Sequence, residues 1–264
     1  MNVEYWHLTV GATAMMVIGF CFWFARLGLV RTMWISGLRM TAQLLLLGLI
    51  LDTLFARSIW WWTALFLSVM IGVATRESLQ RLKHRFLGMW NIIVPLVSLL
   101  AAALPYTALL VFVVFRPDPW HDPAVILPIF GMILGNVMNT VSLAINHFFQ
   151  NLSSGKQGIE QRLALGHSLV DITRPIRREA ARTAMLPILN AMAVTGIVSL
   201  PGMMTGQILA GESPDQAVRY QILIWFGIAA GAGAASLIAL RLARLAVTDP
   251  RGRPSNFQPT QYSH

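Results

Sequence analysis

Long apolar segments alternate with short polar connectors along almost the whole chain. An α-helix needs roughly 20 apolar residues to cross a hydrocarbon core about 30 Å thick, and seven segments meet or nearly meet that length. The pattern predicts an all-α, polytopic transmembrane helical bundle of about seven spans, with ends uncertain by several residues. The predicted spans are 8–25, 34–54, 59–75, 91–115, 124–147, 185–210 and 218–240.

The charged residues predict how the chain is threaded through the membrane. With these seven spans, alternate connectors collect most of the 20 Lys and Arg residues. Because cytoplasmic loops carry an excess of basic residues, the N-terminus is predicted outside and the C-terminus in the cytoplasm. The cytoplasmic set contains Arg26, Arg31, Arg76, Arg81, Lys83, Arg85, Lys156, Arg162, Arg174, Arg177, Arg178, Arg182, Arg241, Arg244, Arg251 and Arg253.

Composition agrees with a membrane protein. The 264 residues are 56% hydrophobic and 12% charged, with a mean hydropathy of +0.61, well above a soluble domain. The formal charge of +9 follows from the basic loops, so no nucleic-acid partner is predicted. The single cysteine, Cys21, can form neither a disulfide framework nor a thiolate metal cluster within the chain.

The domain prediction is one transmembrane domain, 1–247, followed by a polar, proline-rich tail at 248–264 that is expected to be disordered and cytoplasmic. The connector at about 150–183 is long enough to hold helices of its own. Its "GIEQRLALG" predicts a short helix with Glu160 in the first turn and Gly166 as the stop. Pro175 is expected to interrupt the chain before a new helix begins.

Small and helix-breaking residues are concentrated in the last three spans. Pro201 and Gly202 predict a kink or break in the sixth span, either as a hinge or as a static packing kink. Gly-x-x-x-Gly spacing predicts close helix packing, within the subunit or across a dimer interface. The pairs are Gly131 with Gly135, Gly202 with Gly206, and Gly227 with Gly231.

Polar side chains within two predicted spans suggest a translocation pathway. "GMILGNV" and "GMMTGQI" share the pattern Gly-Met-x-x-Gly-amide, which places thioether and amide groups on one helical face. Buried methionines also fill gaps in helix packing, and amides also form interhelical hydrogen bonds. The candidate pathway residues are Asn136, Asn139, Gln207, Met132, Met203 and Met204.

The sequence provides little chemistry for catalysis or tight metal binding. The segment "SSGKQG" lacks the upstream glycine and the following hydroxyl of a phosphate loop, and the chain has no His-Glu-x-x-His or Gly-x-Ser-x-Gly motif. No catalytic residue, metal site or bound cofactor is therefore predicted. Arg39, within the second span, either extends to the cytoplasmic surface or points inward, where it would favour an anionic or chelated solute.

Three blocks resemble the FetB-type permease family of iron exporters, which is related to plant aluminium-tolerance permeases. They are "ILPIFGMILGNVMNTVSLAINHF", "LALGHS…RREAARTAMLPI" and "VTGIVSLPGMMTGQILAGESPDQAVRYQILI". The long connector is similar to the Glu-Ala-Ala loop of ABC transporter permeases, although Gln161 and Arg162 replace the two alanines. The coupling residues implied by this resemblance are Glu160, Leu163, Ala164, Gly166, His167 and Ser168.

The resemblance implies the membrane subunit of an ABC transporter in the bacterial inner membrane, exporting iron or another metal ion. It further implies a homodimer and a separate ATPase subunit that carries ATP and Mg²⁺. Two alternatives remain open. One is a secondary transporter or channel whose basic connector lies on the lipid surface. The other is a membrane enzyme with a catalytic cluster around His121, His147 or His167.

Overall fold

The computed structural model describes residues 5–57 and 59–247, and the named elements within these ranges are all helices, which confirms the all-α prediction. A six-residue π-helical segment, Leu110–Phe115, continues α4. The predicted tail, 248–264, lies outside the described residues. The α-helices are α1 (Tyr5–Phe24), α2 (Val30–Arg57), α3 (Trp60–Gln80), α4 (Trp90–Leu109), α5 (Pro123–Ser154), α6 (Lys156–Ala164), α7 (Leu169–Val194), α8 (Gly202–Leu209) and α9 (Pro214–Ala246).

The chain divides into two compact units, and the first ends at Arg57. Within it, α1 and α2 pack where a glycine on each helix receives a side chain from the other. A Cβ on Gly19 would lie 2.9 Å from Met33 Cε, and a Cβ on Gly37 would lie 2.5 Å from Met15 Cε. Small residues at such contacts allow helix backbones to approach closely.

The second unit contains α3 to α9, and two of its helices begin with a side-chain cap followed by a proline. Asp122 Oδ1 accepts a hydrogen bond from Ala124 N at 2.9 Å at the start of α5. Ser213 Oγ accepts from Gln216 N at 3.3 Å at the start of α9. Each cap is followed by a proline at the first helical position, where the missing N–H costs nothing.

The core of the second unit is built around α5. The helices α3, α4, α7 and α9 all pack against α5, and the bulky side chains on its buried faces include Phe130, Ile133 and Val137. Phe148 and Phe149 continue this core toward the C-terminal end of the helix, with 0% exposure each. A helix that is buried on several sides needs apolar residues around most of its circumference, as this sequence provides.

The glycine pair of α9 lies at the closest contacts of this core. A Cβ on Gly227 would lie 3.0 Å from Leu110 Cδ1, and a Cβ on Gly231 would lie 3.4 Å from Ile133 Cγ2 and 3.5 Å from Tyr106 Cδ2. The other predicted pairs are more open. A Cβ on Gly131 would lie 3.3 Å from Met70 Cε, whereas a Cβ would meet no described heavy atom within 4 Å at Gly135, Gly202 or Gly206.

Four helical segments are long and apolar enough to cross a membrane: Val30–Leu51, Trp90–Phe115, Pro123–Ser154 and Pro214–Ala246. The segment Leu8–Phe24 is apolar but shorter. The helix α3 carries Arg76 and Glu77 near its end, and α7 is strongly charged in its first half. The count of about seven spans and the direction of the termini therefore remain predictions.

The predicted sixth span, 185–210, is interrupted in the structure, where a kink or break was predicted at Pro201 and Gly202. The helix α7 ends at Val194, the next seven residues are non-helical, and α8 begins at Gly202. The backbone turns because Gly196 has a φ of +92°, and Pro201 precedes the first residue of α8. With eight residues, α8 is only about 12 Å long, too short to span a bilayer core alone.

Two details predicted for the long connector are wrong. The chain remains helical through Pro175, because the carbonyl freed by that proline belongs to exposed Asp171 in the first turn of α7, where water can satisfy it. The helix α6 begins at Lys156, so Glu160 lies in its second turn. Glu160 Oε1 is 3.9 Å from Lys156 Nζ, a weak exposed pair.

The glycine contacts of α9 predict a position-specific loss of stability. Gly231→Val should destabilise the folded protein by roughly 1–3 kcal/mol, because the new side chain would crowd Ile133 and Tyr106. Gly135→Val is the matched control, since it introduces the same residue into a helix where a Cβ has open space. Thermal unfolding in detergent measures both, and equal losses for the two variants would contradict this packing.

Candidate functional site

A cavity of about 110 Å³ lies between α5 and α7. Its lining residues recur every three or four positions on each helix, so one face of α5 is opposed to one face of α7. The volume is enough for a few water molecules or a small hydrated ion. The lining residues are Asn136, Asn139, Thr140, Leu143, Ala184, Pro187, Ile188 and Ala191.

The polar groups of the cavity are neutral. Asn136 Nδ2 donates to Met132 O at 2.8 Å, and Thr140 Oγ1 donates to Asn136 O at 3.0 Å, so both donors are satisfied within α5. No carboxylate, imidazole or thiol is among the lining residues. Amide and hydroxyl oxygens can contact a hydrated cation but hold it weakly compared with carboxylates.

Two asparagines of α5 hold the chain that follows α3. Asn139 Oδ1, at the edge of the cavity, accepts a hydrogen bond from the Arg81 guanidinium. Asn146 Oδ1 accepts from Lys83 N and its Nδ2 donates to Arg81 O, both at 2.9 Å. Asn139 thus lies both at the cavity and beside a fixed positive charge, whereas Asn146 fixes the end of α3.

The remaining predicted pathway residues lie elsewhere. Met132 is half-buried against the core rather than in the lining of the cavity. Met203, Met204 and Gln207 are half-buried on α8, which packs against α9. Gln207 Oε1 is buried with no hydrogen-bond partner in the described chain. The structure therefore brings Asn136 and Asn139 together at the cavity but does not bring the α8 strip there.

The predicted coupling residues form an exposed helical turn and its exit. Ile159 is buried and anchors α6, and Leu163 packs against the core. Beyond the helix, Gly166 has a φ of +87°, which favours glycine, and no described atom would lie within 4 Å of an added Cβ. The exposed members of this group are Glu160, Ala164, Gly166, His167 and Ser168.

Ser168 joins this turn directly to α7. Its Oγ accepts a hydrogen bond from Asp171 N at 3.2 Å and donates to Asp171 Oδ2 at 2.6 Å. These bonds cap the first turn of α7. Ser168 therefore connects the exposed turn after α6 to α7, the helix that lines the cavity, and its side chain caps α7.

The chain between α7 and α8 is an apolar, exposed break. Gly196 N donates to Ser199 O at 2.8 Å, which closes a tight turn. Ile197 is 92% exposed and Val198 is 79% exposed. Such side chains contact lipid or another subunit in a membrane protein. The predicted hinge at Pro201 and Gly202 lies at the end of this break, where α8 begins.

Sequence reasoning missed a group of arginines where α7 packs against α9. Arg174 and Arg177 come from α7, and Arg241 and Arg244 come from α9; we call these four residues the arginine cluster. Burial lowers the pKa of Arg177, and repulsion from Arg244, Arg174 and Arg241 lowers it further. A spacing of three residues within each helix could have suggested one pair on α7 and one pair on α9. Only the packing of α7 against α9 brings the two pairs together.

The three histidines of the alternative hypothesis, a membrane enzyme, lie on different elements of the fold. His121 precedes α5, His147 lies within α5, and His167 follows α6. Among the described residues there is no group of three or more His, Cys, Asp or Glu side chains arranged to hold a metal ion. The geometry gives no support to a metal-dependent catalytic centre in that part of the chain.

The long apolar helices and the buried helical core define a helical membrane protein. The chain belongs to the uncharacterised protein family UPF0014, whose model matches residues 5–247. This match, together with the relatives below, confirms the resemblance to the FetB-type family. No solved structure gives a significant match.

Three relatives illustrate the breadth of the family. The UPF0014 membrane protein slr1647 of Synechocystis is 35% identical over 74% of each chain. The probable iron export permease protein FetB of Escherichia coli is 38% identical over 46% of each chain. The UPF0014 membrane protein STAR2 of rice is 31% identical over 81% of this chain and 74% of its own.

The bonds of Asn146 predict a structural role that a pathway residue would not have. Asn146→Ala should destabilise the protein by about 2 kcal/mol, because two backbone groups after α3 lose their partner. Gln150→Ala, one turn further along α5 and exposed, should change stability little. Thermal unfolding in detergent provides the measurement; a loss of solute transport by Asn146→Ala at unchanged stability would contradict the assignment.

Proposed function

We propose that this chain is the membrane subunit of an ABC transporter that exports iron or another metal ion. The relationship to the probable iron export permease FetB supports the cargo class. The observation that supports the coupled mechanism most directly is the exposed α6 turn, which is capped onto α7, the helix that forms one wall of the cavity.

In this proposal, a separate ATPase subunit binds the exposed turn around Gly166 and Ser168. The ATPase carries ATP and Mg²⁺, and its closure displaces α6. Because Ser168 caps α7 and Ile159 anchors α6, a push on the turn is transmitted to α7 rather than absorbed by a loose loop. The helix α7 then shifts against α5 and changes the volume and access of the cavity.

The neutral polar groups of the cavity fit a transport site better than a site that stores a metal ion. An exporter must release its cargo, and amide and hydroxyl oxygens bind metal ions weakly. Asn136 and Thr140 supply such oxygens, while Arg81 beside Asn139 keeps the edge of the cavity positive. These features favour a weakly held, hydrated or ligand-bound metal ion over a tightly chelated bare cation.

We further propose about seven spans, with the N-terminus outside and both the α6 turn and the C-terminus in the cytoplasm of a bacterial inner membrane. Two copies of the chain form the transporter. The open glycines Gly202 and Gly206 and the exposed residues at 197 and 198 are available for contact with lipid or with the second copy. Pro201 and Gly202 would act as the joint between α7 and α8.

A secondary transporter or channel is the second candidate function. It is favoured if the basic connector lies on lipid rather than on an ATPase, and the exposed arginines of α7 are compatible with that arrangement. The two functions differ in whether transport depends on ATP hydrolysis by another chain, which the next experiment tests.

Gly166→Arg should abolish coupling to the ATPase. An arginine would place a bulky side chain in the contact and, at a φ of +87°, strain the exit from α6. We expect permease-stimulated ATP hydrolysis to fall about tenfold or more, measured in vesicles with the co-purified ATPase.

Gly211→Arg is the matched control, because Gly211 is also exposed, has a φ of +102°, and has open space around an added Cβ. It should leave stimulated hydrolysis near the level of the unsubstituted protein. Equal hydrolysis in the two variants, or transport that continues without an ATPase, would favour the secondary transporter or channel.

The double variant Asn136→Leu with Gln207→Leu should reduce metal export roughly fivefold, because about 1 kcal/mol of polar interaction is lost along the route. Asn190→Leu, at an exposed position of α7, should leave export unchanged. Export from vesicles, normalised to the amount of folded protein, is the measurement. Normal export by the double variant would remove these amides from the pathway.

A further inference from the structure

The cavity between α5 and α7 has a charged neighbour on its α5 side. Asn139 lines the cavity, and its Oδ1 accepts a hydrogen bond from the guanidinium of Arg81, the residue that follows α3. Both residues are exposed, so the guanidinium is accessible to a solute as well as to the amide. The positive charge therefore lies one hydrogen bond away from the lining of the cavity.

The backbone of Arg81 is fixed on both sides. Its N–H donates to the carbonyl oxygens of Glu77 and Ser78, each at 3.2 Å, where α3 ends. Its carbonyl oxygen accepts from Asn146 Nδ2 at 2.9 Å, and Ser78 Oγ lies 3.0 Å from Ser142 Oγ on α5. These bonds hold the base of the arginine side chain against α5, so the fold positions the charge at the edge of the cavity.

The amide of Asn139 is a modest partner for this charge. A guanidinium has five N–H donors, and the bond to Asn139 Oδ1 uses one of them. A carboxylate or phosphate accepts two parallel bonds from a guanidinium and adds its own negative charge, which a neutral amide oxygen lacks. A solute that carries such a group would therefore compete effectively with Asn139 for Arg81.

The charges around the cavity disfavour a bare metal cation. No carboxylate is among the lining residues, and Arg81 repels a cation more strongly as water is excluded, because Coulomb interactions grow as the dielectric constant falls. The same positive charge attracts an anionic solute. The cavity volume of about 110 Å³, enough for a few water molecules, also admits a single carboxylate or phosphate group.

We propose that Arg81 determines the chemical form in which the metal enters the cavity, by binding a carboxylate or phosphate group of a ligand that carries the metal. The cargo is then an anionic metal complex rather than a bare metal ion. Asn139 holds the guanidinium at the edge of the cavity until the anionic group replaces it. This inference rests on the proposed export function and specifies the substrate of the same cavity.

The test measures binding to the full-length protein, purified in detergent without an ATPase, by equilibrium dialysis. The probes are Fe³⁺ in excess citrate, Fe³⁺ in excess pyrophosphate, Mn²⁺ without a chelating ligand, and citrate alone. Both iron complexes should bind more tightly than Mn²⁺ and more tightly than citrate alone. The tighter of the two complexes identifies the preferred ligand group as a carboxylate or a phosphate.

Arg81→Gln should weaken the binding of both iron complexes about tenfold, because a guanidinium bond to a charged group is lost, and it should not weaken the binding of Mn²⁺. Arg85→Gln is the matched control, because it removes the same charge from an exposed position in the same connector between α3 and α4. It should bind both complexes as tightly as the unsubstituted protein does.

A second variant keeps the inference testable if Arg81→Gln fails to fold. Asn139→Asp retains the arginine and places a carboxylate beside it, at an exposed position. Because the new carboxylate pairs with Arg81 and attracts cations, this variant should weaken the binding of the iron complexes and strengthen that of Mn²⁺.

Three results would overturn the inference. The first is unchanged binding of both complexes by folded Arg81→Gln. The second is an equal loss in Arg85→Gln, which would indicate a general effect of net charge. The third is binding of Mn²⁺ or of citrate alone by the unsubstituted protein that is as tight as the binding of the complexes.

The proposed export function is tested separately, in vesicles that contain the co-purified ATPase. ATP-driven export of Mn²⁺ but of neither complex would support that function and overturn the inference about Arg81. Binding of the complexes that depends on Arg81, without any ATP-driven export, would support selection by Arg81 and contradict the export function.

Discussion

The packing of α5 against four other helices is the interaction on which the rest of the second unit depends. In lipid, apolar surface gains little by leaving the solvent, so close packing must supply the stability. Aromatic residues such as Phe130 and Phe148 fill the space around α5, and Gly231 allows α9 to approach it closely. With these contacts fixed on several sides, the helix provides a rigid wall for the cavity.

The opposite wall of the cavity is α7, and movement of a bound partner subunit could be transmitted through this helix. Ser168, beside the exposed turn, caps its first turn. The helix packs against both α5 and α9 and ends at Val194, where the apolar non-helical stretch before α8 begins. Its first half carries arginines and its second half lines the cavity with small or apolar groups such as Ala184 and Ala191. In the proposed mechanism, coupling and solute passage would therefore both depend on one helix.

The sequence predicted what depends on local pattern. Helix class, the short helix before Gly166 and the shared helical face of Asn136 and Asn139 follow from periodicity and from known propensities. The kink or break predicted at Pro201 and Gly202 is a longer non-helical stretch with a turn at Gly196. Its extent could not be predicted, because hydropathy is insensitive to backbone direction. The bonds of Asn146 and the arginine cluster could not be predicted, because they join residues far apart in sequence.

The central claim is that ATP acting on a partner subunit moves α7 against α5. The most direct measurement is the distance between spin labels at exposed Gln150 on α5 and exposed Leu186 on α7, in a variant that lacks Cys21. The account predicts that the distance distribution in the complex shifts when ATP binds and returns after hydrolysis. An unchanged distribution during continued ATP-driven export would contradict it.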